Sequence, residues 1–163
     1  MNNRSGWCSF WQNYRAPLLW AAVLFVQSSI PDWDPPVRLT RWDDKWAHVL
    51  LYLPLGFLLL GALARARAGR SRATLLLLTF ILGTLYGISD EMHQHFVPGR
   101  HMDWRDAVAD SLGVMAGGWL HLKLSSGLIS GGAGHSGKPW QRVLRKLIFP
   151  EPLLSGEESR PVK

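Results

Sequence analysis

Tyr86-Gly87-Ile88-Ser89-Asp90-Glu91-Met92-His93-Gln94-His95-Phe96-Val97-Pro98-Gly99-Arg100-His101-Met102-Asp103-Trp104-Arg105-Asp106 sets four carboxylates, three imidazoles and two guanidiniums between two of the most apolar runs of the chain. Charge is most costly to solvate beside long apolar segments, so a stretch built this way needs a physical reason. How it is read decides the fold, because the runs on either side are either core helices of a soluble domain or spans of a membrane.

Four apolar runs stand out, at about 16–30, 46–64, 73–88 and 107–124, in a chain of 163 residues. Each approaches the roughly 20 residues that cross a bilayer core of about 30 Å. A soluble domain of this length has too little other sequence to surround four such helices, so they read as four transmembrane helices in an all-α bundle. Charge placement supports this. The segments before the first run, between the second and third, and after the fourth hold thirteen basic residues against three acids. The two other connections, 31–45 and 89–106, hold eight acids against five basic residues. The rule that Lys and Arg stay on the cytoplasmic side then places both termini in the cytoplasm and the acidic loops outside. This fits a multi-pass protein of the bacterial cytoplasmic membrane, whose positive charge faces anionic lipid; no nucleic-acid patch is present.

Other features fill in the organisation. Residues 1–15 mix Trp7, Phe10, Trp11 and Tyr14 with polar residues and read as an interfacial N-terminus. Pro31 should stop the first helix, with Ser28 and Ser29 free to bond its last carbonyls. Residues 125–163 read as a Gly/Ser linker, a short basic amphipathic segment around 140–148 and a flexible tail. The lone Cys8 excludes an intramolecular disulfide framework. There is no phosphate loop, nucleophile elbow or dinucleotide fingerprint, so no cofactor is expected.

Helical spacing puts the polar residues on shared faces. In the second run Lys45, His48 and Tyr52 line one face of the first half, above Pro54. In the third, Gly83, Gly87, Asp90 and Gln94 form a stripe that begins in a small-residue packing surface and ends in charge. The fourth reverses it with Asp103, Asp106, Asp110, Gly113 and Gly117, Asp103 serving as helix N-cap. Val97-Pro98-Gly99-Arg100 reads as a tight turn. Packed with small residues inward, the three stripes bring their polar ends together at the outer membrane face.

The set Asp44-Lys45-x-x-His48-x-x-x-Tyr52, Tyr86-Gly87-x-x-Asp90-Glu91-x-x-Gln94-x-Phe96-x-Pro98-Gly99-Arg100-x-x-Asp103-x-x-Asp106 and Gly113-x-x-x-Gly117 resembles the VanZ-like family of small bacterial membrane proteins. The likeness runs over roughly 28–118. It implies a four-span protein of a family named for a member linked to teicoplanin resistance. An Asn commonly stands in that family where this chain has Asp110, so the cluster here carries an additional charge.

Three readings compete for these residues. In one the carboxylates cap helices and pair with Arg100, and nothing binds. In the second Lys45 and Arg100 hold an anionic headgroup, a phospholipid or a lipid-linked cell-wall precursor, while His48, Asp90 and Glu91 do any proton chemistry. Tyr52, Gln94, Asp103, Asp106 and Asp110 complete that site, the last three by positioning Arg100. In the third, Asp90, Glu91, His93, His95, His101, Asp103 and Asp106 supply metal ligands; their spacing matches no compact ligand signature, so no metal is assigned. The second reading, with the contribution to glycopeptide resistance that the resemblance implies, is carried forward, with a non-enzymatic accessory role as its rival.

Overall fold

The structure is a computed structural model, and it describes residues 4–31, 42–67 and 69–130. The described residues form four helices and no strands: α1 Arg4–Ser28, α2 Asp43–Ala66, α3 Arg72–Gln94 and α4 Trp104–Ser130. The loop at 32–41 and the linker, basic segment and tail beyond 130 lie outside the described residues. Two compact units are present, Met1–His121 and Leu122–Lys163. Apart from the last turns of α4, everything described below lies in the first.

Each helix shows its local cause. α1 starts at Arg4 and runs on through the aromatic N-terminal segment, with Pro17 in its interior. Proline has no N–H, so the carbonyl of Asn13 one turn back loses its helical donor. Arg65 of α2 supplies the replacement, its Nη2 donating to that oxygen at 3.2 Å. α1 ends at Ser28, and the hydroxyls of Ser28 and Ser29 lie 3.0 and 2.6 Å from the Phe25 carbonyl, as expected for a helix stopped ahead of Pro31.

α2 opens on Asp43 and Asp44, acids that suit the positive end of a helix dipole. Ser71 caps α3, its hydroxyl accepting the Thr74 N–H at 3.1 Å. α3 gives way to a turn in which Arg100 N–H bonds the Val97 carbonyl at 3.1 Å and Gly99 takes φ +76. Pro98 then Gly99 at the centre is the type II pattern, which requires a left-handed residue in the second central position. α4 continues to Ser130, past the point where the Gly/Ser-rich stretch was expected to break it. A single helical glycine costs only about 1 kcal/mol against alanine and does not by itself end a helix.

The packing is set by small residues. A Cβ on Gly56 would overlap the backbone of Val114, and one on Gly117 would overlap the carbonyl of Leu53. A Cβ on Gly113 would come within 2.5 Å of the Val49 carbonyl, so α2 and α4 approach backbone to backbone. On the other side Gly83 accommodates the Val114 side chain, and Val114 is fully buried. Leu24, Tyr52, Leu55 and Val114 form the core cluster. α1 is fastened by two polar anchors, Trp20 Nε1 donating to the Leu51 carbonyl at 2.9 Å and Tyr86 OH to the Ala21 carbonyl at 2.6 Å.

The outside of this bundle is apolar. Leu19, Val26, Leu50, Leu77, Leu85 and Leu112, drawn from all four helices, are exposed. α2 and α3 are long and apolar enough to cross a membrane.

Candidate functional site

The end of α1, the start of α2, the end of α3 and the start of α4 meet at one end of the bundle, and that meeting creates the site. Asp90 and Glu91 sit in the last turn of α3. The helix dipole disfavours carboxylates there, so specific donors must hold them.

Asp90 has those donors. Tyr52 OH donates to Oδ2 at 3.0 Å, and Ser28 Oγ lies 2.6 Å from Oδ1. The Ser28 hydroxyl has one proton and two acceptors in reach, and the carboxylate oxygen is the closer of them. Asp90 thus ties α1, α2 and α3 together. Ser28 was expected only to close its own helix. Its part in the site was invisible because nothing local relates residue 28 to residue 90.

The second group centres on Lys45. Its Nζ donates to Asp103 Oδ2 at 2.9 Å, to Asp44 Oδ2 at 3.2 Å and to Asp106 Oδ1. Asp103 caps α4 as expected, accepting the Arg105 N–H at 2.9 Å. That bond and the Lys45 ammonium hold its carboxyl below the usual carboxylate range. Two placements differ from the expected arrangement. Asp103 and Asp106 surround Lys45 rather than Arg100, so the lysine charge is matched within the cluster. Arg100, expected at the centre of the carboxylates, makes no ion pair among the described residues, and its Nε is buried without a hydrogen-bond partner. The helical stripes fixed which carboxylates converge. The turn at Pro98–Gly99, which fixes where Arg100 points, carried no such information.

The third group is the deepest. His48 Nδ1 lies 2.9 Å from Asp110 Oδ1, and its Nε2 is 3.9 Å from Asp106 Oδ2. Glu91 Oε2 accepts the Asp103 N–H at 3.2 Å. Glu91 and Asp110 are both 0% exposed, and Glu91 Oε1 and Asp110 Oδ2 have no hydrogen-bond partner. Gly87 makes room for Asp110, whose Cβ stands 3.0 Å from where a Cβ on Gly87 would be. Gln94 is buried at the same end.

Burial is graded, with side-chain exposure of 35% at Asp103, 17% at Lys45 and 8% at Asp106 before Glu91 and Asp110 are reached. Of the remaining imidazoles, His93 belongs elsewhere: it stacks on Phe25 with ring centroids 4.5 Å apart and its Nε2 lies 2.9 Å from Ser29 Oγ. His95 and His101 are exposed. His121 is buried against Phe57, away from the cluster. A groove of about 620 Å³ opens beside the cluster between α2 and α4, lined mainly by Trp42, Trp46, Val49, Trp104, Val108 and Leu112, with Lys45 and Arg105 also contributing.

These features define a small helical protein with an apolar exterior and a buried cluster of carboxylates, one imidazole and one ammonium at the end of its bundle. The chain belongs to the VanZ/LLP1 family, whose model matches residues 8–125. Family and apolar helices together point to a membrane protein. Comparison with curated proteins returns no match, and neither does comparison with solved structures.

Proposed function

We propose that this is a four-span protein of the bacterial cytoplasmic membrane, with both termini in the cytoplasm and the polar cluster facing outward, where it takes an anionic envelope lipid or lipid-linked cell-wall precursor. The observation that carries the reading is the groove beside the cluster. It is apolar along Val49, Val108 and Leu112, which suits an acyl or prenyl chain, and it has indole rings at Trp42, Trp46 and Trp104, residues favoured at headgroup level. Arg105 at its edge supplies a cation for a phosphate, and a guanidinium binds a phosphate through two donors at once. Lys45 lines the groove and also bonds Asp103 and Asp106, so an occupant would lie against the cluster. The apolar side chains exposed on all four helices support four spans, because water would leave them unburied. Family membership supports a contribution to glycopeptide resistance.

Native mass spectrometry of the full chain with phosphatidylglycerol, phosphatidylcholine and a polyprenyl phosphate tests the reading. Retention of the anionic lipids over phosphatidylcholine is expected, lost in Val108→Trp, which fills the groove, and weakened in Arg105→Ala. Equal retention of all three, unaffected by either substitution, would remove the site. Chemical change in the recovered lipid would exclude the passive accessory role. A reporter fused between Phe96 and His101 should lie outside the cell.

A further inference from the structure

Counting donors against carboxylates at the α2–α3–α4 junction leaves a surplus in one place. Asp90 takes two hydroxyls, and Asp103 and Asp106 share the Lys45 ammonium. Glu91 and Asp110 are left with one backbone N–H and one imidazole between them, and each keeps a fully buried oxygen, Oε1 and Oδ2, that bonds nothing. A buried charged acceptor without a partner is among the costliest features a protein can carry. Protonation would remove the charge of one acid, whereas a cation between them would satisfy both unpartnered oxygens at once.

We propose that His48, Glu91 and Asp110 bind a divalent metal ion. These three side chains each offer a ligand atom within 4.8 Å of the others. Two carboxylates balance the charge of a divalent cation, and a neutral imidazole adds a nitrogen lone pair, so the set closes without a further counter-charge. One nitrogen and two hard oxygens, with no thiolate, favour zinc or manganese over the soft metals and over calcium. A second grouping, Asp44, His48 and Asp106, shares the imidazole. Its Asp44 is exposed and its Asp106 is held by Lys45, and neither has an unpartnered buried oxygen, so the inner set is the metal site. Three protein ligands leave coordination positions for water or for an oxygen of a bound anion. The site does not depend on the lipid reading, since it rests on atoms the groove does not include.

The full chain, purified in lipid nanodiscs and stripped with EDTA, is equilibrated with Zn²⁺ or Mn²⁺, desalted and analysed by elemental mass spectrometry. About one ion per chain is expected, with a melting temperature raised by about 5 °C when the ion is in excess. Glu91→Gln and Asp110→Asn should each weaken binding by about 100-fold, while a Cys8→Ser/His95→Ala/His101→Ala variant should retain the ion. If the buried variants do not fold, X-ray absorption of the wild-type protein decides, with one imidazole and otherwise oxygen ligands expected. A wild-type chain that holds no ion, an ion lost in the triple variant, or a spectrum showing sulfur or several imidazoles would each overturn the site.

Discussion

The two ends of α2 bury polar groups in opposite ways. Lys45 and Arg65 are separated by about 30 Å of helix at 1.5 Å per residue. At the Arg65 end, one guanidinium answers one carbonyl that Pro17 had left without a donor. For that carbonyl demand and supply match, a repair of α1, and the orphan nearby, His121 Nδ1, is an imidazole nitrogen and not a carboxylate oxygen. At the Lys45 end, carboxylates from α2, α3 and α4 outnumber the cations near them, and two buried oxygens go unbonded. The contrast separates polar burial that completes a fold from polar burial the fold does not need. Surplus of the second kind is what the metal site proposed above would take up.

The largest disturbance should come from the packing both ends share. Gly117→Val drives side-chain atoms into the Leu53 carbonyl, a backbone position that cannot move aside, and should cost about 3 kcal/mol or more. Thermal unfolding in nanodiscs would read it, and a variant that melts with the wild type would break the helix-contact picture. Lys45→Ala comes next. It strands Asp106, largely buried, and Asp103, and should cost about 2–3 kcal/mol, discounted for the partial exposure of the lysine. Arg65→Ala should cost only about 1 kcal/mol, a single hydrogen bond. Reversal of that order in urea or thermal melts would erase the proposed difference between the ends.

The repair argument can be sharpened further. Pro17→Ala restores a backbone N–H within α1, so Asn13 no longer requires Arg65. In a double-mutant cycle most of the Arg65→Ala penalty should vanish in the Pro17→Ala background, a coupling of about 1 kcal/mol. Additive penalties would mean that Arg65 serves another purpose.

The smallest effect concerns pH. The folded carboxyl of Asp103 is held below its ordinary range, first by the Arg105 N–H and then by Lys45. A depressed carboxylate contributes stability that is present above its unfolded value, near 4, and disappears as pH falls through the lower folded value. Asn at this position keeps the capping oxygen but titrates nothing. The wild type should therefore exceed Asp103→Asn by less than about 1 kcal/mol at neutral pH, and the gap should close on acidification. A gap that widens in acid would contradict the pairing.

Much of this was legible in the chain. The stripes Lys45–His48–Tyr52, Gly83–Gly87–Asp90–Gln94 and Asp106–Asp110–Gly113–Gly117 each turned out to share a face, because helical spacing alone fixes which residues do so. Asp103 as N-cap and the Pro98–Gly99 turn were readable for the same local reason. What could not be read were pairings across the bundle. Ser28 on Asp90, Lys45 rather than Arg100 among the carboxylates, and His93 against Phe25 all depend on helix rotation and register.

By itself, then, the sequence determined four helices, the polar faces they present and the end at which those faces gather, since each follows from residue spacing and the cost of exposing or burying charge. Only the tertiary structure decided which carboxylate is satisfied by which donor, and which two oxygens are left over. That allotment turns on contacts of about 3 Å between segments distant in the chain, a length scale that periodicity does not reach.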